Sequence, residues 1–115
     1  MHNPVQPETK LTIAGEEYTL VFDFEAIAEA ERLTKRPLLA GLRPEDVQTP
    51  TIDLVRAMLF ACIHSRHPKL TIAEVNAFVT RKSFSDIWVK VLNAWTEDWA
   101  DLAENAQADP LKDQS

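Results

Sequence analysis

The side chains in this sequence best suited to bind a soft metal or to act in nucleophilic catalysis are those of Cys62, His64 and His67. A zinc site needs four ligands, and the remaining histidine, His2, lies at the start of the chain. A cysteine nucleophile needs a histidine within hydrogen-bond reach, but residues two positions apart on a helix point in different directions. We therefore expect no metal site, no catalytic residue and no cofactor.

Two other kinds of catalytic or ligand site receive little support. Glycine occurs only as Gly15 and Gly41, so the chain cannot supply a glycine-rich loop of the kind that binds phosphates. Carboxylate pairs such as Glu25 and Glu29 lie on the polar face of a predicted helix, where charged side chains are usually solvated. The residues themselves therefore indicate no site for chemistry.

Tryptophan is concentrated near the C-terminus, at Trp88, Trp95 and Trp99. Core packing explains such residues in a small domain, and we expect it for Trp88. Tryptophan is also enriched among the residues that dominate the energy of protein interfaces. Trp95 and Trp99 lie near a helix end beside Asp98 and Asp101, so we expect these four residues to form an acidic, aromatic protein-binding surface.

The most apolar stretch of the chain, Ile52–His64, must be the element around which the other parts are arranged. Ten of its thirteen residues are apolar, so a helix here is apolar on most faces and needs neighbours on most sides. At about 20 Å it is too short to cross a bilayer. It is predicted to be the central helix, capped by Thr49 or Thr51 and ending before Pro68.

The remaining elements follow from local patterns. Alternating apolar residues with Gly15 between them predict a β-hairpin over residues 10–23, one face of which must be covered. Helical spacing then predicts a helix with Asp23 as its N-cap and Pro37 at its end. A short apolar helical turn is predicted over 37–42, followed by a loop over 43–50. After the central helix, a capping box of Thr71 and Glu74 predicts the start of a further helix. The last helix is predicted to begin at Ser83 or Ser85.

These elements predict an α+β fold, mostly α, in which an N-terminal β-hairpin is followed by a compact bundle of four to five helices. The chain of 115 residues is 45% hydrophobic and 26% charged, which suits one globular domain, placed at residues 10–104. Residues 1–9 and the acidic segment 105–115 are expected to be disordered. The single cysteine and the absence of a secretory signal pattern favour an intracellular protein.

The net charge of −6 is unevenly distributed. From Glu97 onward, acidic residues outnumber basic ones six to one, whereas residues 51–90 carry an excess of three positive charges. This asymmetry suits the selection of a charged partner, and it is equally explained by charges scattered over a solvated surface.

The hairpin and the helix after it resemble a known family. With h for an apolar residue and x for any residue, this part of the chain resembles the pattern h-x-h-x-G-x-x-Y-x-L-x-F followed by h-x-A-h-x-x-h-E. That pattern is typical of the small tail assembly chaperones of long-tailed phages, prophages and gene transfer agents. A later pattern of that family, L-T-x-E-E-h, is similar to residues 70–75. The resemblance spans residues 10–95, and the matching positions are Gly15, Tyr18, Leu20, Phe22, Ile27, Ala28 and Glu31, with Leu70, Thr71, Ile72, Ala73, Glu74 and Val75.

The resemblance implies a non-enzymatic scaffold that binds the tape measure protein and helps recruit tail tube subunits. It implies a cytoplasmic protein of the host bacterial cell that is absent from the mature particle, with no nucleic-acid or membrane partner and with a possible homo-oligomer. Two alternatives stay open. One is a tri-helical DNA-binding regulator that contacts phosphates through Arg66, Lys69, Arg81 and Lys82. The other is an adaptor or antitoxin-like module that binds one protein.

Overall fold

The computed structural model describes residues 9–39 and 41–107, with side chains described up to Thr96. This part of the chain forms an antiparallel two-stranded hairpin followed by five helices, so the predicted α+β, mostly helical fold class is confirmed. The elements are β1 (Thr9–Ile13), β2 (Glu16–Leu20), α1 (Phe24–Thr34), α2 (Pro44–Gln48), α3 (Ile52–His64), α4 (Ile72–Phe78) and α5 (Phe84–Gln107).

The hairpin turns through Ala14 and Gly15, both of which have positive φ, at 53° and 85°. Ile13 pairs with Glu16, so the loop has two residues, and two successive positive φ values match the twist of the strands. Gly15 adopts this conformation without a steric penalty. On the inner face Leu11 and Leu20 are buried, as the alternation predicted.

The outer edge of β2 is covered by the C-terminal end of α3. The amide of Val21, just after β2, donates to the carbonyl oxygen of Cys62 at 2.9 Å, and the amide of Thr19 donates to Nε2 of His67 at 3.0 Å. These bonds occupy backbone donors that an edge strand would otherwise leave open. A hairpin that is marginal alone is therefore held on the helical body.

Helix α1 begins as predicted, because Oδ1 of Asp23 accepts a hydrogen bond from the amide of Ala26 at 2.8 Å. It ends at Thr34, before the predicted limit at Pro37, where Lys35 takes a left-handed conformation with φ of 59°. The amide of Lys35 then donates to the carbonyl oxygen of Glu31 at 2.7 Å, which closes the helix.

The prediction for residues 37–50 is wrong in detail. The described residues of 37–42 contain no helix, and the short helix α2 lies instead within the segment expected to be a loop. Pro44 suits the first turn of this helix because its missing N–H needs no partner there. Asp46 then holds α2 through long-range contacts that no local pattern reveals.

Helix α3 is the centre of the fold, as predicted, with Thr51 as its N-cap. It contacts α1, α4, α5 and β2. A helix enclosed on so many sides must be apolar almost all round. Eight of its side chains are buried, namely Leu54, Val55, Met58, Leu59, Phe60, Ala61, Cys62 and Ile63.

The last two helices begin where the capping signals place them. The hydroxyl of Thr71 accepts from the amide of Glu74 at 3.1 Å while the Glu74 carboxylate accepts from the amide of Thr71 at 2.9 Å, which completes the predicted capping box. Helix α5 follows Ser83 and continues to Gln107, past the domain limit predicted at residue 104. At the other end β1 begins at Thr9; the expectations for residues 1–8 and 108–115 lie outside the described residues.

Candidate functional site

Trp88 lies in the core, as its sequence position predicted. Its ring is 5% exposed, and its Nε1 donates to the carbonyl oxygen of Val47 at 3.0 Å. A buried indole usually finds a hydrogen-bond partner, and here the partner is the backbone of α2. Trp88 therefore fastens α2 to α5 and is not available to a second protein.

The structure places Trp95 in the core as well, which differs from the surface position expected from the sequence. Its side chain is 6% exposed and meets the ring of Phe22 edge to face, with 5.1 Å between ring centroids. Phe22 lies between the hairpin and α1, and this segment covers the face of α5 that carries Trp95. The tertiary arrangement has thus used this tryptophan for packing.

The side chains of Asp98, Trp99 and Asp101 are outside the described residues, although the backbone of all three belongs to α5. The acidic, aromatic surface expected at these positions therefore stays a prediction. It now rests on Trp99 and its acidic neighbours without the ring of Trp95.

The structure gives Cys62, His64 and His67 separate environments. Cys62 is fully buried and its thiol donates to the carbonyl oxygen of Leu59 at 3.5 Å. His64 stacks on Phe60 at 4.8 Å between ring centroids, and His67 accepts the hydrogen bond from Thr19. No cluster of three or more potential metal ligands occurs in the described part of the chain.

A groove with a volume of about 590 Å³ lies beside the N-terminal ends of α3 and α5. No sequence pattern predicted it. We call it the arginine groove. Its apolar lining consists of Ile52, Val79 and Phe84. Its polar lining consists of Arg56, Thr80, Arg81 and Ser85. Volumes of this size and a mixed lining of this kind are typical of ligand sites.

The two arginines of this groove form no ion pair with any side chain that the structure describes. The Nε of Arg56 is buried and has no hydrogen-bond partner there. An unsatisfied buried donor costs about 1–3 kcal/mol, and more in a charged group. Asp53, one turn earlier on α3, borders a neighbouring groove with Arg56 but does not reach ion-pair distance.

One weak signal for this site is present in the sequence. Arg56 and Arg81 both belong to the positively charged segment 51–90, but they are separated by the whole of α4. Only the packing of α3 against α4 and α5 brings the two cations to one groove.

A comparison with known proteins gives no relatives: no family model, no curated protein and no solved structure matches this chain. Within residues 9–39 and 41–107, none of the helices combines the length and the apolar character that crossing a membrane requires.

Proposed function

We propose that this protein is a non-enzymatic tail assembly chaperone of a phage, prophage or gene transfer agent. In this role it binds the tape measure protein, keeps it soluble and helps recruit tail tube subunits. It acts in the cytoplasm of the host bacterial cell and leaves before the particle is complete. The observation that carries the proposal is the hairpin-to-helix pattern from Gly15 to Glu31.

The residues of that pattern have a physical reason to occur together. Leu20 and Phe22 are 1% exposed and Ile27 is 3% exposed, so the apolar positions join the hairpin and α1 to one core. The carboxylate of Glu31 accepts hydrogen bonds from the amides of Leu38 at 2.8 Å and Leu39 at 3.0 Å. The pattern therefore specifies a hairpin, a helix and the loop after it, which is how a family-wide scaffold would be encoded.

Exposed apolar side chains on the helical body support a role in protein binding. A chaperone for an aggregation-prone partner has to offer apolar contacts in place of solvent. Large apolar side chains that are at least 39% exposed in the described part of the chain are Phe24, Leu39, Val47, Ile52, Ile72 and Val89.

The decisive experiment is co-expression with the tape measure protein encoded beside this chain. We expect the soluble fraction of the tape measure protein to rise when this chain is present. A soluble fraction that does not change would contradict the chaperone function. The absence of tail tube and tape measure genes from the genomic neighbourhood would contradict it as well.

Single substitutions then test where the partner binds. Trp99→Ala should reduce the rescue, because truncating a central tryptophan of an interface typically costs 2 kcal/mol or more. Lys90→Ala is the control, since it truncates a long exposed side chain of the same helix that we do not assign to the interface. Full rescue by Trp99→Ala would reject the proposed surface but not the function.

The DNA-binding alternative is tested with the same purified protein. Arg66, Lys69, Arg81 and Lys82 would supply phosphate contacts, but the net charge of −6 opposes the approach of duplex DNA. We expect no complex tighter than micromolar at physiological salt. A submicromolar, salt-dependent complex would replace the chaperone proposal with the regulator. The genes beside this one distinguish the adaptor alternative from the chaperone, because only the chaperone is expected beside tail tube and tape measure genes.

A further inference from the structure

The arginine groove combines an apolar lining with two arginines that form no ion pair among the described residues. This apolar lining is partly open to solvent: Val79 is 7% exposed, Phe84 is half-buried and Ile52 is 54% exposed. A side chain of Ile52 that is open to solvent over half of its surface loses nothing when a partner covers it, and burial of apolar area is favourable.

The charged side of the groove is incomplete as it stands. Arg56 is one of the residues that line the groove, and its Nε is buried without a hydrogen-bond partner among the described residues. Arg81 lies exposed on the link between α4 and α5. No acidic side chain is among the described residues that line the groove. A carboxylate is the group that best satisfies a guanidinium, through two parallel charge-assisted hydrogen bonds.

Helix α5 carries its acidic C-terminal part away from the groove. From Ser85 to Gln107 the helix extends about 33 Å, at 1.5 Å per residue. Since no acidic side chain lines the groove in the described part of the chain, we place the carboxylate that completes it on another molecule.

We propose that the arginine groove binds a partner's peptide segment in which a carboxylate lies beside a large apolar side chain. The carboxylate pairs with Arg56 and Arg81, and the apolar side chain rests on Ile52, Val79 and Phe84. A nucleic-acid phosphate would satisfy the arginines but would leave the apolar lining uncovered. The proposal stands independently of the tail assembly role, so either can fail alone.

The test uses the full chain, labelled with ¹⁵N, and two synthetic probes. The first probe is a twelve-residue peptide of alternating leucine and glutamate pairs, and the second replaces every glutamate by glutamine. The first peptide should shift the Nε–H signals of Arg56 and Arg81 in a saturable way. The glutamine peptide should bind at least tenfold more weakly.

Charge reversal at adjacent positions gives the matched control. Arg81→Glu should weaken binding of the glutamate peptide at least tenfold, and because Arg81 is exposed on a link the variant should fold. Lys82→Glu makes the same change in net charge at a residue that does not line the groove, and should change the affinity less than twofold. Ile52→Ser should weaken the binding of both peptides, since it removes part of the apolar lining of the groove.

Three results would overturn the proposal. The first is the absence of any shift at the two Nε–H signals, and the second is equal weakening by Arg81→Glu and Lys82→Glu. The third is a shift of these signals with protein concentration alone and none with peptide, which would assign the groove to contact between copies of this chain.

Discussion

The backbone amide of Thr19 donates a hydrogen bond to Nε2 of His67 at 3.0 Å, across 48 positions of sequence. The ring of His67 also meets Tyr18 edge to face, at 5.2 Å between centroids. One side chain thus satisfies a donor of β2 and packs on the neighbouring residue of that strand. His67, whose side-chain type suits a metal ligand, therefore helps to attach the hairpin to the helical body.

His67→Ala should therefore loosen the hairpin. We expect a loss of about 1–2 kcal/mol in the free energy of unfolding, because the Thr19 amide loses its acceptor. Hydrogen exchange at the Thr19 amide should become faster. His64→Ala is the control, since His64 stacks on Phe60 and does not contact this amide in the described structure. Unchanged exchange at Thr19 in His67→Ala would show that the hydrogen bond does not hold the strand.

Leu59→Ala should lower the free energy of unfolding by about 2–5 kcal/mol, because Leu59 is fully buried in the central helix and the truncation leaves a cavity. Phe60→Ala should have an effect of similar size, since Phe60 is 6% exposed. Urea unfolding followed by circular dichroism measures both. Val89→Ala, at an exposed position, should change stability by no more than about 0.5 kcal/mol. Losses as small as this for both core variants would refute the central position of α3.

Trp95 and Phe22 should prove energetically coupled. A double-mutant cycle with Trp95→Leu and Phe22→Leu should give a coupling free energy of about 0.5–1.5 kcal/mol, the usual value for an edge-to-face aromatic pair. Each single variant should also destabilise the protein, because both side chains are buried. Additive effects in the cycle would mean that the two rings do not interact. A Trp95 variant as stable as the unmodified chain would mean that the Trp95 side chain is not part of the core.

Asp46 should make the attachment of α2 sensitive to acid. Burial acts to raise the pKa of Asp46, but hydrogen bonds from Arg36 and Arg43 outweigh it and hold the pKa below the ordinary value of 3.8. The Arg36 guanidinium approaches both carboxylate oxygens, at 2.6 and 3.5 Å. A carboxyl group whose pKa is lowered by folding stabilises the native state above its unfolded pKa, and this contribution disappears as pH falls through the folded value.

The measurement is the stability of the unmodified chain and of Asp46→Asn as a function of pH. The unmodified chain should be more stable at pH 7, and the difference should shrink as pH falls below about 4. Glu45→Gln is the control, since Glu45 is an exposed neighbour in the same helix. A difference that stays constant from pH 7 to pH 3 would mean that the ion pairs of Asp46 do not stabilise α2.

Elements that depend on interactions between residues close in sequence could be predicted before the structure was known. Asp23, Thr51 and Thr71 cap helices with side chains three residues from the amides they bind, so short patterns suffice to place these N-termini. The alternation of apolar residues in the hairpin and the apolar run of α3 likewise predicted which faces of these elements other parts of the chain must cover. These are relations between residues close in sequence.

Features that depend on residues far apart in sequence could not be predicted in this way. Helix α2 is held by Arg36, in the link after α1, and by Trp88 of α5, and the pattern of the segment alone predicts a loop. Periodicity showed which face of α5 carries Trp95 but not that Phe22 would cover it. Arg56 and Arg81 meet at one groove only because α3 packs against α4 and α5. Interactions between residues close in sequence select helices and strands. The burial of a side chain and its hydrogen-bond or ion-pair partners depend on which distant residues the fold places beside it.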